Sequence, residues 1–119
     1  MIRNVTRDLD IASEITYCRS FLSRGLGLMG RRRLRESQAF IFDERRESVT
    51  ATAITMLFVF FPIAVIWLNS NKRVVAKVLA RPWRLIYAPD RPARYYVEAH
   101  PSILDKVNVG DMLEFPDPD

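Results

Sequence analysis

The 119-residue chain has one cysteine, Cys18, and one histidine, His100. A lone cysteine excludes an internal disulfide and any cysteine-based metal site within one chain. Cys18 stands between Tyr17 and Arg19 with no histidine near it, which suits a small half-buried side chain better than a reactive thiol. A Ser-His-Asp or Cys-His pair would have only His100 as its base, and His100 precedes Pro101 in an apparent loop, as a surface residue would. There is no Gly-rich phosphate loop, no pair of acids at catalytic spacing and no cluster with metal-ligand spacing. No cofactor is called for. Internal repeats and linkers rich in Gly, Ser or Pro are also absent. The opening Met1-Ile2-Arg3-Asn4-Val5-Thr6-Arg7-Asp8 has no apolar core of a signal peptide, so the expected compartment is cytoplasmic.

The composition is that of one globular domain spanning residues 1–119. Apolar residues make up 49% and charged residues 27%, a balance that excludes a disordered chain. A domain of this length buries roughly two thirds of its unfolded surface, enough for a real core. The net charge of +4 favours an anionic partner only weakly. Arg31, Arg32, Arg33 and Arg35 form a basic cluster with no interleaved aromatic residue, so base stacking is not indicated and the pattern argues against nucleic acid.

The strongest feature present is an uncharged run over residues 48–71. As a helix, residues 52–68 would extend about 25 Å, against the roughly 30 Å of a bilayer's hydrocarbon. Pro62 near the middle would kink such a helix. The Val, Ile, Phe and Thr content favours strands. Basic residues flank the run on both sides, so no orientation follows. Two buried strands divided at Pro62 are expected, with Ile63, Val65 and Trp67 facing one way and Ala64, Ile66 and Leu68 the other.

Elsewhere, short alternating segments punctuated by turns predict strands over residues 1–6, 12–18, 38–43, 73–81, 94–98 and 112–115. The charged residues Glu44-Arg45-Arg46-Glu47 read as a turn, and Asn69-Ser70-Asn71 as another. Ser20 suits an N-cap, with Phe21, Leu22, Leu26 and Met29 at helical spacing behind it. Ser102 suits the cap of a helical turn, with Asp105 in a capping box. The expected fold is mainly β, sandwich or barrel-like and largely antiparallel, with about seven or eight short strands. It carries one short helix near residues 20–29, a helical turn near residues 102–107 and a frayed tail at residues 116–119.

The segment Arg24-Gly25-Leu26-Gly27-Leu28-Met29-Gly30-Arg31 resembles the signature of the Domain of Unknown Function 192 family. The resemblance continues in order along the chain. Arg3-Asn4-Val5-Thr6-Arg7 is similar to that family's opening strand, and Pro62-Ile63-Ala64-Val65-Ile66-Trp67-Leu68 with Arg73-Val74-Val75 to its central hairpin. Pro82-Trp83-Arg84, Ala93-Arg94-Tyr95-Tyr96-Val97-Glu98 and Val109-Gly110-Asp111 match later segments. The resemblance implies a compact, mainly β fold with a small helix, and strands rather than a membrane helix at the uncharged run. It implies no activity. Two departures stand out: Ala64 replaces the family's usual Asp, and Val59, Phe60 and Phe61 replace polar residues before the proline. Either a polar pocket of the family is absent here, or packing substitutes for polar ties between strands.

Five residues are candidates for lining a binding cleft: Arg24, Met29, Arg31, Trp83 and Arg84. Trp83 lies between Pro82 and Arg84, and Tyr87, Tyr95 and Tyr96 follow, an aromatic set suited to a small-molecule cleft or equally to core packing. Arg24 is a candidate anchor to a carboxylate such as Glu98 in a structural pair. Residues 72–94 are strongly basic and residues 105–119 acidic, which suits internal pairing, an anion-binding face or a head-to-tail contact. The reading is a soluble, noncatalytic β module whose partner is a small molecule or a protein. The alternatives are a hydrolase-like enzyme and a protein attached to a membrane through residues 51–68.

Overall fold

A computed structural model describes residues 1–18, 34–54, 56, 60–84 and 86–117. Eight strands follow one another: β1 Ile2–Asn4, β2 Leu9–Ala12, β3 Glu14–Cys18, β4 Gln38–Ser48, β5 Ile63–Leu68, β6 Val74–Ala80, β7 Ala93–Ala99 and β8 Leu113–Glu114. A 3₁₀ helix, Pro101–Lys106, precedes β8. The strands form two sheets, a small one in the order β2-β1-β8 and a large one in the order β3-β4-β7-β5-β6. Each pair is antiparallel except β3 with β4, which run parallel.

The period-2 alternation of each strand divides the core between the two faces of the large sheet. Ile41, Ile66, Val97 and Ala99 face one way and meet Ile2, Ile11, Leu113 and Phe115 of the small sheet and Ile103 of the 3₁₀ helix. Phe40, Phe42, Val65, Trp67 and Tyr96 face the other way and pack with Ile54 and Met56. All six residues of β5 are therefore buried, as its unbroken apolar sequence requires. Each large apolar side chain removed from water contributes roughly 1.5–3 kcal/mol.

Only the second half of the uncharged run is a strand. Pro62 precedes β5, but no strand spans the described residues before it. The Thr52 hydroxyl donates to the Ser48 carbonyl at 2.7 Å and the Ala53 amide to the Thr50 carbonyl at 3.3 Å, turning the chain out of β4. Ile54 then makes an isolated antiparallel bridge to Tyr87, so this segment lies across the second face instead of within the sheet. The Ser48 and Thr52 hydroxyls, bonding the neighbouring backbone, oppose the β propensity that suggested a second strand.

Other boundaries shift for local reasons. Glu44-Arg45-Arg46-Glu47 continues β4 and is not a separate turn. The chain kinks there at Arg45 (φ 63°), whose amide donates to the Asp43 carboxylate at 2.7 Å. Residues 9–12 form a strand of their own, β2. A bulge at Trp67 and Leu68 reverses the facing of β6, so Val74 joins the first core while Ala76, Val78 and Ala80 serve the second. The helical turn at residues 101–106 is capped by His100, not Ser102, through the Ser102 amide donating to Nδ1 at 3.1 Å. The helix expected near residues 20–29 lies outside the described residues.

The two ends of the chain are joined by a buried polar knot. Asn4, 0% exposed, donates through Nδ2 to Asp111 at 2.8 Å and to the Lys106 carbonyl at 2.9 Å. The Asn108 amide also donates to Asp111 at 2.8 Å. Burial would raise the Asp111 carboxyl, but these hydrogen bonds outweigh it and hold it below the usual carboxylate range.

Candidate functional site

The second face of the large sheet is the part of the molecule that carries unspent chemistry. Its floor is set by register. Phe40 on β4 and Val65 on β5 flank Glu98 on β7. One rung away, Phe42 and Trp67 flank Tyr96. Phe42 and Tyr96 stack with ring centroids 4.4 Å apart and planes 4° from parallel, a contact worth about 1 kcal/mol beyond its area. Cys18, buried at the end of β3, continues the same rung opposite Phe42.

Glu98 is the exception on this apolar floor. It is 8% exposed, and among the described residues no group hydrogen-bonds or ion-pairs with its carboxyl. Burial alone pushes it up to about 8, so the protonated form dominates at neutral pH. A neutral carboxylic acid can donate one hydrogen bond and accept others. Asp43, midway along β4, shows the contrasting case. Burial would raise it, but Arg94 grips it with Nε at 2.8 Å and Nη2 at 3.1 Å, and the result is a lowered carboxylate.

The roof of this face includes Ile54, Met56, residues 82–84 and Tyr87. Ile54 and Tyr87 exchange amide hydrogen bonds at 2.8 and 2.9 Å. The Met56 amide donates to the Arg84 carbonyl at 2.9 Å and the Trp83 amide to the Met56 carbonyl at 3.0 Å. Met56 is fully buried in the same cluster as Phe40 and Val65. Trp83 and Arg84 are thereby pinned above it. The Trp83 ring is 45% exposed and meets Phe60, 53% exposed, edge-on at 5.3 Å. Trp83 also holds φ at 66°, a left-handed backbone that a bulky residue rarely adopts. Arg84 lies over the Tyr87 ring at 4.8 Å.

Of the five candidates from sequence, Trp83 and Arg84 come together on this roof, and Arg24, Met29 and Arg31 lie outside the described residues. The aromatic set divides. Tyr87 and Tyr96 belong to the second face, whereas Tyr95 packs edge-on against Phe115 in the first core at 5.4 Å. Ala64 is also fully buried in the first core, so that departure from the family pattern lies on the opposite face from Glu98. Phe60 was not foreseen as part of the roof. Its signal was an aromatic residue beside Pro62 in a segment with no charge to keep it in water.

Among the described residues no group of three or more His, Cys, Asp and Glu side chains is placed to hold a metal ion. No described helix is long and apolar enough to cross a membrane. His100 Nδ1 is engaged by Ser102 in capping the 3₁₀ helix.

Comparison with known proteins places this arrangement among uncharacterised relatives. A UPF0127 protein of Pyrococcus furiosus is 40% identical over 114 residues, covering 94% of this chain and 95% of the relative. A UPF0127 protein of Thermococcus kodakarensis is 31% identical, covering 97% of this chain and 73% of the relative. A solved protein of unknown function from Novosphingobium aromaticivorans superposes with a TM-score of 0.76 at 19% identity, over 85% of this chain and 74% of that one. A Sinorhizobium meliloti protein described as a suspected transcription regulator superposes with a TM-score of 0.82 at 19% identity, over 95% of this chain and 88% of that one. At that identity both structures speak to the fold alone. The model of the Domain of Unknown Function 192 family, described as Uncharacterized ACR, matches residues 3–115, and the chain belongs to that family.

Proposed function

We propose that the protein is a noncatalytic binding module that holds a small ligand against the second face of the large sheet, with Glu98 as its recognition group. The observation that carries this reading is the Glu98 carboxyl itself, buried among Phe40, Val65 and Tyr96 without a partner among the described residues. Holding its charged form away from water is costly, and an apolar residue at position 98 would remove that cost. A ligand that hydrogen-bonds the carboxyl offsets it. The matching chemistry is a mostly apolar or aromatic body bearing one uncharged hydrogen-bonding group. Trp83 and Arg84 form the outer rim in this reading, and Arg24, Met29 and Arg31 are assigned to the same cleft from the sequence. The left-handed backbone at Trp83 supports the rim assignment, since strain of this kind collects at ligand sites. The cytoplasm is the proposed compartment, where a lone thiol such as Cys18 stays reduced.

The test is to purify the protein from its native host and identify small molecules released on denaturation by mass spectrometry. One compound is expected in stoichiometric amount with the wild type and absent from a folded Glu98→Leu variant. Equal recovery from both proteins, or recovery from neither, would remove the proposal.

A further inference from the structure

β6 is an edge strand of the large sheet, and among the described residues no strand pairs with its outer edge. Among the described residues its backbone meets an outer backbone partner only at Val74, which exchanges hydrogen bonds with Asp111 and Gly110 at 2.8 Å each. An open edge is a template for another strand, and proteins commonly blunt it with charge. Here the ammonium of the strand's one charged side chain, Lys77, which also lines the groove beside the edge, is engaged by the Leu104 and Val107 carbonyls at 2.8 Å. Beside the edge runs a groove of about 410 Å³ between Val75, Ala76 and Val78 on one side and Tyr87, Ala88 and Arg91 on the other.

The surroundings of that groove carry unneutralised positive charge. Arg73 and Arg81 flank β6 and Arg91 lines the groove; none of the three has an ion-pair partner among the described residues, and Asp90 is the one acid lining the groove. Pairing β6 with β6 of a second copy would set this row of positive charges against itself, which destabilises a sheet. The chain's own acidic end is already committed, since Leu113–Glu114 is β8 and Phe115 is buried in the first core.

We propose that the outer edge of β6, with the groove beside it, accepts an extended acidic segment of a partner protein as an added strand. Main-chain hydrogen bonds to residues 76–80 supply affinity, apolar side chains of the segment enter the groove, and its acidic side chains meet Arg81 and Arg91. This proposal does not rest on the role assigned to Glu98.

The test uses the full chain and a capped hexapeptide of alternating Glu and Val, with the Lys-Val peptide and a thymidine oligonucleotide as comparisons. Saturable binding of the Glu-Val peptide is expected, with amide shifts in nuclear magnetic resonance spectra concentrated at residues 76–80. Arg81→Glu with Arg91→Glu is expected to weaken it about ten-fold or more. N-methylation of one alternate set of peptide amides is expected to abolish binding while methylation of the other set leaves it, because only one set faces the edge. Indifference to which set is methylated, equal binding of the Lys-Val peptide, or preference for the oligonucleotide would each overturn the proposal, as would no binding at millimolar peptide.

Discussion

Trp67 donates its indole N–H to the carbonyl of Thr52 at 2.8 Å, tying the two halves of the uncharged run together across the second face of the large sheet. The first half leaves β4 at a threonine turn, and this bond helps hold it over β5. Trp67 is 2% exposed, so its N–H has little access to water as a substitute partner. Trp67→Phe keeps an aromatic ring but strands the Thr52 carbonyl and leaves the space of the pyrrole ring unfilled, and is expected to lower stability by at least about 1–3 kcal/mol. Urea denaturation should show this as a lower midpoint with an unchanged slope.

The Asn4–Asp111 bond joins the opening strand to the turn before β8. Asn4→Leu removes both Nδ2 bonds and leaves a buried carboxylate short of a donor, for an expected loss of about 1–3 kcal/mol. The pH dependence has a definite sign. Asp111 and Asp43 are both held below the usual carboxylate range when folded, so their stabilisation is present above the unfolded pKa and lost as pH falls through the folded one. Asn4→Leu should therefore flatten the acid limb of a stability–pH curve; an unchanged limb would assign that loss to other groups.

Glu98 acts in the opposite direction. Its folded pKa is raised from 4.5 to about 8, so its stabilisation is complete below 4.5 and is lost as pH rises toward 8. Across that window one group can contribute a slope of at most about 1.4 kcal/mol per pH unit. Glu98→Gln and Glu98→Leu should be close to wild type in stability at pH 4 and more stable at pH 8. Thermal denaturation at the two pH values checks this, and a destabilised variant at pH 8 would indicate a partner for the carboxylate.

Trp83 holds a left-handed backbone at the surface, where strain of this kind costs about 1–3 kcal/mol. Trp83→Gly relieves the strain and loses the ring's contacts, the edge-on Phe60 contact among them. Trp83→Ala keeps the strain and loses the Phe60 contact, so it should be the weaker of the two. Denaturation midpoints of the pair provide the comparison, and the reverse ranking would mean that the left-handed backbone at this position carries no strain for glycine to relieve.

Much of this fold is legible in the sequence because alternation is a local signal. Ile15 and Tyr17, Phe40 and Phe42, and the six apolar residues of β5 announce their faces without reference to the rest of the chain. The first half of the uncharged run did not, since its Ser48 and Thr52 hydroxyls turn the backbone and the strand slots beside β5 are filled by β6 and β7. The parallel pairing of β3 with β4 and the bulge that redirects Val74 depend on partners distant in sequence. The site was legible in part. Trp83 and Arg84 stand out beside a proline, but the burial of Glu98 emerges only when β4 and β5 close on either side of β7. An acid within Tyr95-Tyr96-Val97-Glu98-Ala99 is an unusual neighbour for so many apolar residues, and that was its local trace.

The carboxyl of Glu98 is where the functional account meets a single number. Selective carbon-13 labelling of glutamate, assigned with Glu98→Gln and titrated by nuclear magnetic resonance, reads its ionisation directly. Titration at about 8 is expected, and a stoichiometric ligand should displace it. Titration at or below the ordinary glutamate value of 4.5, restored upward in Arg24→Gln, would contradict it. That result would make Glu98 half of a structural ion pair.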